Sequence, residues 1–214
     1  MFGRSDVPAE LTARAASLGR RVQFVALDLA DSDAIAATAQ QVLATHQVDI
    51  LVNNAGTQDR YPAVDFPLEA WDRVLDVNLR AVFQLCQLFG RPMLERGEGK
   101  IVNLASLLSF QGGATVAAYA ASKGAVAQLT KALCNEWSSR GVNVNAVAPG
   151  YMATDMNAAL IADPVRMEQL SVRIPAGRWG QPEDIGNVVV FLASPAAAYV
   201  HGQVLAVDGG WLAR

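Results

Sequence analysis

Short apolar runs rich in β-branched residues alternate with longer helical stretches along almost the whole chain, and this alternation admits few folds. The runs are V-Q-F-V-A-L-D (22–28), D-I-L-V-N-N (49–54), K-I-V-N-L-A (100–105), V-N-V-N-A-V (142–147) and Q-V-L-A-V-D (203–208). Helical patterning fills the intervals: Pro8 to Leu18 closed by Gly19, Ser32 to Thr45, Leu68 to Glu95 with a break, Tyr119 to Ser139 closed by Gly141, and Glu183 to Ala193. Pro8 and Pro182 suit first helical turns, where a missing N–H costs nothing. The pattern predicts an α/β fold, a doubly wound parallel sheet with helices on both faces.

At 214 residues, 52% of them hydrophobic, the chain can bury one sizeable core, so residues 1–214 read as a single domain. A net charge of −3 without basic clusters excludes nucleic acid and anionic membrane surfaces as partners. The start M-F-G-R-S-D has no basic region leading into an apolar run, and no apolar run approaches the ~18 residues of a membrane span. Cys86 and Cys134 lie in apolar helical stretches and read as reduced, buried thiols; a cytoplasmic protein is predicted. No residue cluster reads as a metal site. From Thr154 to Arg178 a helical stretch and a Pro/Gly-rich return interrupt the rhythm without a strand, as a segment covering a ligand would.

Lysine is scarce: three lysines stand against fourteen arginines, and one of them ends Y-A-A-S-K, Tyr119 to Lys123. In a helix these two side chains share a face one turn apart. A free phenol, with a pKa of about 10, is a poor base at neutral pH, and a nearby ammonium in a dry cleft favours its ionised form. A packed Tyr with a snorkelling Lys satisfies the same spacing. Other candidates sit where strands end. Ser106 closes I-V-N-L-A-S, N-N-A-G (53–56) follows D-I-L-V, and P-G-Y-M-A-T (149–154) follows V-N-V-N-A-V-A. Asn78, in D-V-N-L-R, is an amide inside a helical run and needs a partner.

N-N-A-G, Asn78, Ser106, Y-x-x-x-K and P-G-x-x-x-T, in this order, resemble the classical short-chain dehydrogenase/reductase family over essentially the whole chain. The resemblance implies a Rossmann-like fold, a nicotinamide cofactor (NAD or NADP) and interconversion of an alcohol and a carbonyl. It makes Tyr119 the general acid/base, with Lys123 lowering its pKa and holding the nicotinamide ribose. Ser106 would hydrogen-bond the reacting oxygen and Asn78 would anchor a water of the proton relay. Cofactor contacts would come from Asp28, Asn54, Ala55, Gly56, Tyr119, Lys123, Pro149, Gly150, Met152 and Thr154. Asp28 reads equally as a strand-end turn residue.

The family's T-G-x-x-x-G-x-G phosphate loop has no counterpart in this sequence. The expectation is therefore an N-terminally truncated fold, lacking the first strand and phosphate loop, and the missing loop argues for inactivity of the chain as given. Arg4 would lean the choice towards NADP by pairing with a 2′-phosphate. L-L-S-F-Q-G-G (107–113), R-I-P-A-G-R-W-G (173–180) and the terminal V-D-G-G-W-L-A-R resemble the family's 2-deoxy-D-gluconate 3-dehydrogenase branch, also described as 2-dehydro-3-deoxy-D-gluconate 5-dehydrogenase. That implies a small sugar acid as substrate, for which Gln111 or Arg178 would serve as anchor. Two alternatives stand beside it: 3-oxoacyl carrier-protein reductase, and an inactive or partner-binding fragment. Family members of this kind are commonly homotetramers.

Overall fold

The structure, a computed structural model, describes residues 1–3 and 7–214. Strands β1 (Phe2–Gly3) and β2 (Val25–Ala26) form a parallel pair flanking α1 (Ala9–Ser17). Asp31 caps α2 (Ser32–Thr45), its carboxylate accepting the Asp33 and Ala34 N–H groups. There follow β3 (Ile50–Asn53), α3 (Leu68–Leu75), α4 (Ala81–Arg96), β4 (Gly99–Leu104), α5 (Ala117–Trp137) and β5 (Val142–Pro149). The chain closes through α6 (Ala158–Ile161), α7 (Pro164–Ser171), α8 (Pro182–Ala193) and β6 (Val204–Val207). The second sheet runs β3-β4-β5-β6, parallel throughout, with Val52 opposite Val102 and Ile101 opposite Val144.

Alternation along the strands divides the core between two faces. Ile101 and Val144 join the cluster built by α2, α4 and α5 around Phe89 and Met93. Val102, Leu104 and Val147 turn the other way and are covered by α8 through Leu192. The doubly wound reading is thus realised. The expectation of a fold cut short at its N-terminal side gains no support; among the described residues the parallel strands fall in two sheets, β1–β2 and β3–β6. No helix among the described residues is long and apolar enough to cross a membrane.

Two predicted elements differ. Of the run 22–28 only Val25–Ala26 pairs, because its partner offers two residues. The break within 68–95 is a π turn, Asp76–Arg80, joining α3 to α4 with helical backbone on either side. The predicted covering segment contains α6, α7 and a return that touches the sheet side by a single parallel bridge, Met152 to Gly180.

Past β5 the chain crosses the end of β6 so closely that a Cβ on Gly150 would lie 2.6 Å from the Asp208 Cα. Backbone cannot yield as a side chain would, so Gly150→Ala should destabilise the fold by ~1–3 kcal/mol in urea unfolding. Gly112, with nothing within 4 Å of its would-be Cβ, is the control: Gly112→Ala should stay within ~0.5 kcal/mol of the parent.

Candidate active site

Ser106 lies just past the carboxyl end of β4, in extended backbone opening a short 3₁₀ turn, Leu107–Ser109. Its hydroxyl accepts the Leu108 N–H at 3.2 Å, and its own N–H donates to Ser109 Oγ at 3.2 Å, a reciprocal cap. Ser109 Oγ in turn donates to the Lys123 carbonyl at 2.6 Å, tying the turn to α5.

Helix α5 brings Tyr119 and Lys123 to this point on one face, with Lys123 Nζ 5.7 Å from the centre of the Tyr119 ring. Lys123 is only 4% exposed and donates to the carbonyl of Leu104, the last residue of β4, at 2.5 Å. Burial pushes its pKa down to about 8. Tyr119 is half-buried, and burial raises its pKa while the Ser106 hydroxyl pulls the other way. Desolvation dominates over the Ser106 hydrogen bond, and the phenol rests protonated.

Asn78 sits in the π turn, fully buried, and meets the need for partners completely. Its amide accepts the Thr57 N–H at 2.8 Å and donates to the Thr57 carbonyl at 2.9 Å and to Ser122 Oγ at 3.1 Å. Ser122 passes the link on, donating to the Tyr119 carbonyl at 2.8 Å. The Asn78 side chain thus clasps the segment after β3 to helix α5.

Along N-N-A-G, Asn53 turns into the core while Asn54, Ala55 and Gly56 face outward. A Cβ on Gly56 would stand 3.5 Å from Asn78 Oδ1 and 3.7 Å from Lys123 Nζ, which places this segment beside the cluster. Pro149 and Gly150 lie at the end of β5; Met152 is buried in its bridge to Gly180, whereas Thr154 is exposed. Asp28 is exposed and accepts the Ala30 N–H, so its turn role is realised. Arg4 lies outside the described residues.

The two acid anchors fare differently. Gln111 accepts the indole N–H of Trp211 at 3.2 Å, which ties it to the chain's last turn. Arg178 forks Asp184 at 2.7 and 2.9 Å on an exposed surface. Ser109, Ser122 and Trp211 escaped the reading of the sequence. The spacing S-x-x-S over 106–109, a capping pattern, was a usable signal for the first.

A buried ammonium leaves a signature in stability. Lys123 has its pKa near 8 in the fold against an ordinary 10.5, so between these values the unfolded chain binds more protons and stability rises with pH. Lys123→Met removes that dependence. Its unfolding free energy relative to the parent should fall by on the order of 3 kcal/mol between pH 7 and pH 10.5, read by urea titration.

The geometry has counterparts among known proteins. A family profile described as Enoyl-(Acyl carrier protein) reductase matches residues 3–212. The 2-dehydro-3-deoxy-D-gluconate 5-dehydrogenase of Bacillus subtilis (strain 168) is 55% identical over 196 residues, 92% of this chain and 77% of that protein. The protein of the same description from Pseudoalteromonas atlantica is 51% identical over 211 residues, 98% and 82%. A Beutenbergia cavernae crystal structure with NADP at low occupancy superposes with a TM-score of 0.95 at 54% identity, covering 100% of this chain and 86% of that one. A gluconate 5-dehydrogenase from Burkholderia cenocepacia J2315, in complex with NADP and tartrate, gives 0.91 at 40% identity, covering 96% and 81%. With its Ser106, Tyr119 and Lys123 gathered at the end of β4 and a profile match along nearly its full length, the chain belongs to the short-chain dehydrogenase/reductase family of oxidoreductases.

Proposed function

We propose that the protein interconverts a secondary alcohol and a ketone on a small sugar acid of the 2-dehydro-3-deoxy-D-gluconate type, using NADP in preference to NAD. The observation that carries the reading is a protonated, half-buried phenol flanked by the Ser106 hydroxyl and by a buried ammonium. The names of the relatives above, and the NADP and tartrate bound to one of them, support the choice of substrate class and cofactor.

The site fits a nicotinamide cofactor. Lys123 spends one of its three donors on Leu104 and keeps two for ribose hydroxyls, beside outward-facing Asn54, Ala55 and Gly56. When bound, the cofactor supplies or receives the hydride at carbon. In the reducing direction Tyr119 donates its proton to the carbonyl oxygen while the Ser106 hydroxyl hydrogen-bonds that same oxygen as charge builds on it. Lys123, titrating near 8, can return a proton towards Tyr119, as an arginine could not. Asn78 acts by holding the Thr57 segment and α5 in place. Gln111, on the segment that follows Ser106, is the better candidate for the substrate's acid group.

Assembly as a homo-oligomer belongs to the same reading, supported by Val190 and Phe191 on α8, Tyr199 beyond it and Leu205 on β6, all exposed. Two free cysteines support a reducing compartment such as the cytoplasm.

Titration with NADPH and NADH, followed by energy transfer from tryptophan, should show tighter binding of NADPH. Tyr119→Phe should cut turnover by ~100-fold or more with little change in cofactor affinity. Because the phenol's pKa is raised, ketone reduction should hold across neutral pH and decline in alkali, whereas alcohol oxidation should climb with pH. A protein that binds neither cofactor, or whose Tyr119→Phe variant turns over normally, sinks the reading.

A further inference from the structure

We infer that Ser109, which has no role in the chemistry above, is a positioning residue of the reaction: its hydroxyl sets where Ser106 stands relative to Tyr119 and Lys123. The inference rests on the proposed function.

One oxygen makes both connections. Ser109 Oγ accepts the Ser106 N–H at 3.2 Å and donates its only proton to the Lys123 carbonyl at 2.6 Å. A hydroxyl so engaged cannot rotate without breaking one of the two bonds. The Lys123 carbonyl lies inside α5, whose own ladder uses one of its lone pairs, so the bond from Ser109 takes the second. The link therefore runs from the backbone of one reactive residue to the backbone of another.

The turn it secures is short. Leu107–Ser109 is one 3₁₀ turn, and Ser106 Oγ rides on it through the Leu108 N–H. Cutting the link leaves the turn packed against α5 with Leu107 buried among Leu170, Ile174, Trp179 and Trp211, and apolar contact resists separation better than sliding along the helix. Sliding is the motion that matters, because a donor works only when it lies within about 2.7–3.1 Å of where the oxyanion forms. The parallel arrangement on the neighbouring turn of α5, where Ser122 ties the Tyr119 carbonyl to Asn78, leaves the Tyr119 side fixed when Ser109 is lost.

A plain helix-cap serine would affect stability alone, so the test reads kinetics. Ser109→Ala, Ser109→Thr and Tyr119→Phe are compared with the parent chain, with NADP and either D-gluconate or 2-dehydro-3-deoxy-D-gluconate as the probe. Ser109→Ala should lower kcat by ~100-fold, the scale of an ångström's misplacement, with KM and NADPH affinity within about twofold of the parent. Ser109→Thr, which keeps the hydroxyl, should recover most of that loss. Parental kcat in Ser109→Ala, or a fall in kcat that Ser109→Thr leaves in place, overturns the inference while normal parental activity leaves the functional reading standing. If the parent turns over neither acid, the functional reading fails and amide exchange decides: the Ser106 N–H should exchange ~10-fold faster or more in Ser109→Ala and near the parental rate in Ser109→Thr. Unchanged exchange in Ser109→Ala overturns the inference.

Discussion

The reactive side of the sheet is referenced to one buried hydrogen bond, from Lys123 Nζ to the Leu104 carbonyl. An ammonium with so little exposure is costly to keep charged, and its hydrogen-bond partner among the described residues is a carbonyl rather than a carboxylate. It is tolerable because the charge can be shed near pH 8 and because the carbonyl satisfies a donor in either protonation state. The bond joins the end of β4 to the middle of α5, and the bonds from Ser109 to the Lys123 carbonyl and from Asn78 to Ser122 brace the same helix from other elements. Apolar packing alone would hold α5 against the sheet without fixing its position along its axis; directional bonds do that.

A second polar system runs through the core behind the site. Asn53 on β3 donates to Asn103 on β4, and Asn103 donates to Thr130 on α5, while the Cys86 thiol on α4 receives the other contact of Asn53. Burial pushes that thiol up to about 12, so it behaves as a neutral packing group. Asn53 and Asn103 are opposite one another in the strand register, and a slip by one residue would break the bond between them. The row therefore pins the register of the strands whose ends carry the site.

Much of this was legible from local pattern. Ser32–Thr45 matches its predicted bounds because capping, periodicity and the turn after it agree. The broken helix, the strand at 49–54 and the Tyr–Lys spacing on α5 were likewise local facts. Pairings across long separations were not. In N-N-A-G the sequence offers two equivalent amides, and only the pleat of β3 decides that Asn53 enters the core while Asn54 faces outward. The Arg178–Asp184 pair was not legible, because the two residues lie across a loop and a helix start, where no periodic spacing applies. The direction of the Tyr119 pKa needed the three-dimensional burial of the phenol, which sequence spacing does not show.

The π turn at Asp76–Arg80 is one residue more than an α-helix would need, and an extra residue rotates everything after it by about 100°. Helix α3 packs against α5, whereas α4 packs against α2 and the sheet. A continuous α-helix would present its apolar stripe in one direction and could serve only one of these surfaces. By taking up the rotation at Asn78, the chain makes one long rod with two differently aimed faces, and its seam falls where the clasp to Thr57 and Ser122 is made.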